Sequence, residues 1–294
     1  MKGQGATRWP FIIYPLGMVR CILFCLALLT AAPAFAIRPV AEYWARPDTL
    51  GLKYQDLTLT AADRVHLAAW LIEPRPNVPA KQATVIIAGG DAGNMASSIY
   101  PAAALAAQGY QVLLFDYRGF GHSDAFAIDR DMLYYPEFTT DLRAALAEAR
   151  RRAPRHRVGV LGFSMGTIMG AEVAAAPGCD FLVTVAYVAS PPAVAAYYQR
   201  VRPERPVHLP ANATAYAQVA PRVKCPWLLI ASKADPVTTL ADSLAVARAA
   251  KGRQRRQVLP VEGDHQASMM AFSDEGPQNA AVQAISRFLA GGKA

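Results

Sequence analysis

The chain has 294 residues, of which 53% are hydrophobic and 18% charged, with a formal net charge of +8. This much apolar material excludes intrinsic disorder, while 20 Gly without a period of three and only 4 Cys exclude collagen-like and disulfide-scaffold classes. The length suits one large domain or two small ones, and only the N-terminus carries a long uncharged apolar run, which disfavours a multi-pass membrane class.

The first 36 residues contain Lys2, Arg8 and Arg20 and no acid. An apolar run from Cys21 to Ala32 follows, then Pro33 and Ala34-Phe35-Ala36, a small-x-small signal-peptidase pattern. Residues 1–36 are therefore expected to be an export signal cleaved after Ala36, with the rest exported to the periplasm or secreted. An uncleaved N-terminal membrane anchor is the alternative. Without the signal, 27 basic residues face 22 acidic ones. Arginines cluster at 150, 151, 152, 155 and 157, and at 253, 255 and 256. A solvated face, with the first cluster at a helix C-terminus, is favoured over a lipid or nucleic-acid patch, because no nucleic-acid motif accompanies the charge. Peripheral membrane association stays open. Cys179 and Cys225 survive processing and are expected at the starting ends of neighbouring parallel strands, as a disulfide or as two buried thiols.

After a loose entry (37–50), the alternation in 54–59 and the run 65–72 predict an antiparallel hairpin. Pro74, Pro76 and Pro79 mark a loop. Short continuous apolar strands then alternate with helices. Strands are predicted over 84–88, 111–115, 158–161, 181–188, 227–231 and 257–261. Helices are predicted over 97–108, 139–152, 165–176, 240–250 and 277–289. This pattern describes an α/β fold whose mostly parallel sheet of about eight strands is covered on both faces. Right-handed crossovers put every strand C-terminus on one edge, where a site belongs. Residues 190–226, rich in Pro and aromatics, read as a short cap-like insertion in a domain spanning 37–294.

Gly162-Phe163-Ser164-Met165-Gly166 follows the 158–161 strand and opens a helix. A strand-to-helix turn this sharp needs Gly at both flanks, and it lifts the Ser164 hydroxyl above the sheet edge. A serine nucleophile needs a base, and the base needs an orienting acid. Asp235 follows the 227–231 strand and His265 follows the 257–261 strand, so both emerge at the edge that carries Ser164. His66, His156 and His208 fall elsewhere, and His122 precedes Ser164 in the chain. Asp264 and Asp242 are the rival acids. Backbone N–H groups of Met165 and Asp91 are the expected oxyanion donors. The second lies in the loop Gly89-Gly90-Asp91-Ala92-Gly93-Asn94.

With these motifs in view, the chain resembles the α/β-hydrolases, in the single-domain serine-hydrolase branch with a minimal cap that includes serine aminopeptidase-like and Bem-type proteins. Gly90-Asp91-Ala92-Gly93-Asn94 is similar to that branch's His-Gly-Asn-x-Gly-Asn. Asp116-Tyr117-Arg118-Gly119-Phe120-Gly121-His122-Ser123 is similar to its Asp-x-Arg-Gly-x-Gly-x-Ser. The resemblance implies a structural role for Asp116–Arg118, which buttress the loops beside the elbow. Gly89 replaces the branch's His, Asp91 replaces an amide with a carboxyl, and Ser232 stands where the acid loop often has Gly. An Asp91 carboxylate facing the hole would oppose the developing charge, so it must point away or be paired.

The leading expectation is a serine hydrolase working through an acyl-enzyme, with no metal and no organic cofactor, and a carboxylesterase acting on small or exposed ester substrates before any other. Thioesterase, peptidase or amidase, and acyltransferase activities use the same machinery. A non-catalytic binding protein on a hydrolase scaffold is the alternative from a different class.

Overall fold

Residues 36–272 and 279–294 are described by the computed structural model. The predicted export signal lies outside the described residues except for its last position, Ala36.

The elements run in chain order: β1 (Arg38–Pro39), β2 (Tyr54–Thr60), β3 (His66–Ile72), β4 (Ala83–Ala88), β5 (Ala92–Gly93), α1 (Ile99–Ala107), β6 (Gln111–Phe115), α2 (Glu137–Arg152), β7 (Arg157–Phe163), α3 (Met165–Ala174), β8 (Leu182–Val185), α4 (Pro191–Val201), α5 (Val219–Arg222), β9 (Trp227–Ser232), α6 (Leu240–Arg248), β10 (Arg256–Val261), α7 (His265–Met270) and α8 (Ala280–Leu289). The main sheet has eight strands in the order β10-β9-β8-β7-β4-β6-β3-β2, and β1 and β5 form a separate two-stranded parallel pair. β2 and β3 are the predicted antiparallel hairpin, and β3 also meets β6 antiparallel. From β6 to β10 every pairing is parallel.

Side chains alternate across the central strands and so build two cores. Ile86, Leu113, Val160, Leu182 and Leu229 face one layer together with Leu142, Leu146, Ile168 and Met169 of α2 and α3. Val85, Ile87, Leu114, Leu161, Val183 and Ile230 face the other, against Ala103 and Leu105 of α1 and Val282, Ile285 and Phe288 of α8. β4 is buried along its whole length, which is why it reads as an unbroken apolar run rather than an alternation. Full burial of each such Leu or Ile is worth about 2 kcal/mol.

Several predicted bounds move. The strand expected over 181–188 stops at Val185, because Ala186 takes a positive φ of 57° and turns the chain out of the ladder. The first helix starts with a 3-10 turn, Met95–Ser98, capped by the Asn94 side chain, before α1 proper. α2 begins two residues earlier than predicted, at Glu137. The 165–176 and 240–250 helices end at Ala174 and Arg248. The loose entry contains β1. Cys179 and Cys225 are free thiols, and Cys179 Sγ donates to the Phe181 carbonyl. In the 190–226 segment, α4 is capped by Ser190. His208 of that segment is held to the 129–133 loop by two backbone bonds and by a 2.7 Å contact between its Nδ1 and Asp129 Oδ2.

Candidate active site

The parallel crossovers deliver five loops to one edge of the sheet. Ser164 follows β7, Asp235 follows β9, His265 follows β10, Asp91 follows β4 and Asp116 follows β6. The turn at Ser164 is sharp enough to force a positive φ of 46° on a non-glycine residue, a conformation that costs of order 1–3 kcal/mol and persists only where its surroundings enforce it. The Ser164 N–H donates to the Val185 carbonyl at 3.0 Å, and the Ser164 carbonyl accepts from Thr167 Oγ1 at 2.6 Å. The flanking glycines are a steric necessity. A Cβ on Gly166 would collide with the carbonyl oxygens of Ala88 and Gly89, and one on Gly162 would stand 2.8 Å from the Gly166 carbonyl oxygen.

The structure brings the three predicted residues together. Ser164 Oγ lies 3.1 Å from His265 Nε2, and His265 Nδ1 lies 2.7 Å from Asp235 Oδ2. With the carboxylate accepting from Nδ1–H, Nε2 is left as the acceptor for the serine hydroxyl. Burial alone would raise the Asp235 carboxyl. Hydrogen bonds from His265, from the Thr238 hydroxyl and from backbone outweigh it and hold the carboxyl below the usual range. Asp235 Oδ1 accepts the N–H groups of Val237 and Thr238 at 2.8 and 2.9 Å.

Thr238 is a functional neighbour that sequence reasoning did not single out. Its hydroxyl donates to Asp235 Oδ2 at 2.6 Å and stands 3.3 Å from His265 Nδ1. The signal was the spacing in Asp235-Pro236-Val237-Thr238, an Asp whose side chain can cap the backbone two and three residues on. Ser232 hydrogen-bonds Ser268, which ties the end of the acid strand to the helix that carries His265. The departure at Ser232 thus joins the acid and histidine elements.

The rival residues are occupied elsewhere. Asp264 caps α7 by accepting the Ala267 N–H at 3.0 Å, and Asp242 bonds Thr239 at the start of α6. His66 meets Asp124, His156 meets Thr84, and His122 packs against the Tyr43 ring. Arg118 is 3% exposed and grips Asp141 and Asp63 with its guanidinium, at 2.6 Å to each. It buttresses the loop that follows β6.

Met165 opens α3, so its N–H is one of the donors that a helix leaves unpaired. Asp91 sits in the loop that the elbow packs against. Burial pushes its carboxyl up, whereas its own backbone N–H, Arg38 and His265 pull it the other way. Burial likewise raises the Tyr198 hydroxyl to about 12, helped by the negative charges of Asp91 and Asp235. Among the described residues, no group of three or more His, Cys, Asp or Glu is placed to hold a metal ion.

Residues 79–209 match the family model of serine aminopeptidase, S33. The uncharacterized protein YfhR of Salmonella typhi is 31% identical over 172 residues, or 57% of this chain, and the chain spans only about half (54%) of that relative's length. Among solved structures, the Pyrococcus furiosus esterase Pf2001 superposes with a TM-score of 0.67 at 20% identity, over 88% of this chain and 100% of that one. XC6422 from Xanthomonas campestris, described as an α/β serine hydrolase without a lid, gives 0.54 at 20% identity, over 81% and 95%. The fold is that of the α/β-hydrolases. The chain carries that fold, with Ser164 at the turn where β7 leads into α3.

Proposed function

We propose that this protein is an exported serine hydrolase that works by acyl transfer, and that its substrates are small or exposed carboxylic esters. The observation that carries the reading is the continuous contact from Ser164 Oγ through the His265 ring to Asp235, at 3.1 and 2.7 Å. Ser164 Oγ attacks the acyl carbonyl while its proton passes to His265 Nε2. The same nitrogen then protonates the departing alkoxide, and water, activated in turn by His265, releases the acid. Asp235 holds the Nδ1–H tautomer and stabilises the ring when it becomes cationic. The N–H groups of Met165 and Asp91 hold the oxyanion. The short 190–226 segment favours substrates that need no deep enclosure. Export rests on the composition of residues 1–36, and N-terminal sequencing of the cell-envelope protein should begin at Ile37.

A fluorophosphonate probe tests the chemistry. Labelling of the protein and its loss in Ser164→Ala support the reading, whereas labelling that persists in the variant refutes it. Turnover compared across ester, thioester and amide panels places the substrate class, with esters expected to be fastest. A carboxyl at Asp91, where the motif it resembles has an amide, favours one other reading, a non-catalytic binding protein, which predicts neither labelling nor turnover in a folded sample.

A further inference from the structure

The residues just after the predicted signal, 37–43, are woven into the loop that carries the Asp91 N–H. Ile37 is fully buried, and its N–H donates to the Arg130 carbonyl at 3.0 Å. Arg38 N–H donates to the Asp91 carbonyl at 2.8 Å, and Val40 N–H donates to the Gly93 carbonyl at 2.9 Å. These bonds belong to the parallel β1–β5 pair, Arg38 opposite Ala92 and Pro39 opposite Gly93. A parallel strand donates to its neighbour from alternate residues, so Pro39, which has no N–H, falls at the one position between the two donors where none is needed.

The far side of the loop is tied to the same segment. Asn94 Nδ2 donates to the carbonyls of Val40 and Glu42 at 3.0 and 2.8 Å, while its Oδ1 accepts the Ala96 N–H at 3.1 Å. Gly121 N–H donates to the Val40 carbonyl at 3.1 Å. The Tyr43 hydroxyl donates to Asp116 Oδ2, and Asp116 Oδ1 accepts the Met95 N–H at 2.6 Å. The oxyanion loop, residues 91–95, is therefore bonded at Asp91, Gly93 and Asn94 directly to residues 38–42, and at Met95 through Asp116 to Tyr43. A loop that is entered through Gly89-Gly90 and contains Gly93 has little stiffness of its own. Its geometry comes from these partners.

We propose that residues 37–43 form a positioning strap that fixes the Asp91 N–H in line with the Met165 N–H. This inference rests on the serine-hydrolase reading above. None of the strap residues touches substrate, and they act through the placement of one donor. An oxyanion interaction strengthens as the tetrahedral intermediate forms, so misplacing the donor lowers kcat and leaves KM nearly unchanged.

Val40→Pro in the full chain deletes one ladder N–H at a residue whose side chain is 46% exposed. Tyr43→Phe deletes the hydroxyl on Asp116 and keeps the ring. The expected result for each is a fall in kcat of about tenfold with KM within about twofold, in parallel with slower fluorophosphonate labelling. Native-state hydrogen exchange at residues 91–96 should accelerate in both variants while exchange in β4 and β7 stays at the wild-type rate. Wild-type kcat and wild-type exchange at 91–96 in both variants would overturn the strap. Should Val40→Pro fail to fold, Tyr43→Phe alone decides. If the unsubstituted protein neither turns over nor labels, the hydrolase reading fails, and the exchange measurement still tests whether 37–43 orders the loop.

Discussion

Thr238 donates its hydroxyl to Asp235 Oδ2 at 2.6 Å, on the same carboxylate oxygen that accepts His265 Nδ1–H at 2.7 Å. Asp235 is thus held in place by its own loop as well as by the histidine. A group whose folded pKa is depressed contributes stability above its unfolded value, and loses it as pH falls through the folded value. Thr238→Val removes one of the bonds that depress Asp235 and leaves one acceptor under-satisfied. The variant should lose stability at a higher pH than the wild type during acid titration in urea. Its kcat should also fall by about tenfold, the effect of one charge-assisted hydrogen bond of about 1.5 kcal/mol. A wild-type acid-unfolding midpoint in the variant would refute the coupling.

The turn at Ser164 stores backbone strain. Ser164 holds φ at 46°, a conformation that glycine adopts at little cost. Ser164→Gly should therefore raise thermal stability, by about 1 kcal/mol, while abolishing fluorophosphonate labelling. A glycine variant less stable than Ser164→Ala would show that the backbone at 164 is not strained.

Gly166 and Gly170 are both on α3, yet they meet different neighbours. A Cβ at 166 runs into the backbone carbonyls of Ala88 and Gly89, which cannot move without opening β4 from the elbow. At 170 it would meet only side-chain ends, Leu182 Cδ1 and Val160 Cγ1, both at 3.3 Å. Gly166→Ala should cost about 3 kcal/mol, at the upper end of overpacking penalties, and lower soluble yield. Gly170→Ala should stay within about 1 kcal/mol of wild type, because its added helix propensity offsets the squeeze. Chemical denaturation of the two variants side by side makes the comparison.

The fold could be read from the sequence because its signals are local or periodic. Apolar runs such as Val85–Ile87 and Leu228–Ile230 mark strands buried on both faces, and two glycines around Ser164 mark a turn that admits nothing larger. Chain order then carried Asp235 and His265 to the same edge. What escaped were contacts between segments far apart in sequence. Nothing in Ile37-Arg38-Pro39-Val40 signals a strand, since two residues give no period and Pro39 argues against one. The pair exists only because Ala92–Gly93 lies alongside. The link from Tyr43 to Asp116 crosses 73 positions. The end of β8 was overrun because Ala186-Tyr187-Val188 is apolar enough to continue a strand. It is the backbone at Ala186, not the composition, that ends the ladder.

Arg118 anchors the loop after β6 from inside. It donates from Nη2 to Asp141 Oδ1 at 2.6 Å, and Asp141 is fully buried. The Asp141 carboxyl also accepts the Arg118 backbone N–H at 3.0 Å. Arg118→Met would leave Asp141 buried without its charge partner, and the expected loss is about 3–5 kcal/mol. The double variant Arg118→Met with Asp141→Leu should recover part of that loss, because no fully buried charge is then left unpaired, although the backbone N–H of residue 118 and the half-exposed Asp63 carboxylate lose their partners. Failure of the second change to restore stability would mean that the pair's packing, rather than its charge balance, holds the loop.

Asp91 is where the sequence departs most sharply from the motif it resembles, and its carboxyl is raised by burial despite the pull of its own N–H, Arg38 and His265. The sign of the consequence follows from which state ionises first. Below the ordinary carboxyl value, both folded and unfolded chains carry a neutral Asp91 and there is no penalty. As pH rises past that value, the unfolded chain ionises first, so the folded state loses ground until pH exceeds the raised value. On the proposed serine-hydrolase reading catalysis moves the same way, because the carboxyl, wherever it ionises beside the Asp91 N–H, opposes the negative charge that develops on the oxyanion. Asp91→Asn keeps the shape and removes the charge. It should match wild type in stability at acidic pH and exceed it at neutral pH. At neutral pH its kcat should be several-fold higher, an effect of order 1 kcal/mol on the transition state. Stability and kcat measured for both proteins at acidic and neutral pH test this directly. An asparagine variant that is slower than wild type at neutral pH would mean that the carboxylate takes part in the reaction, most simply by holding a cationic or hydroxyl group of the substrate beside the serine.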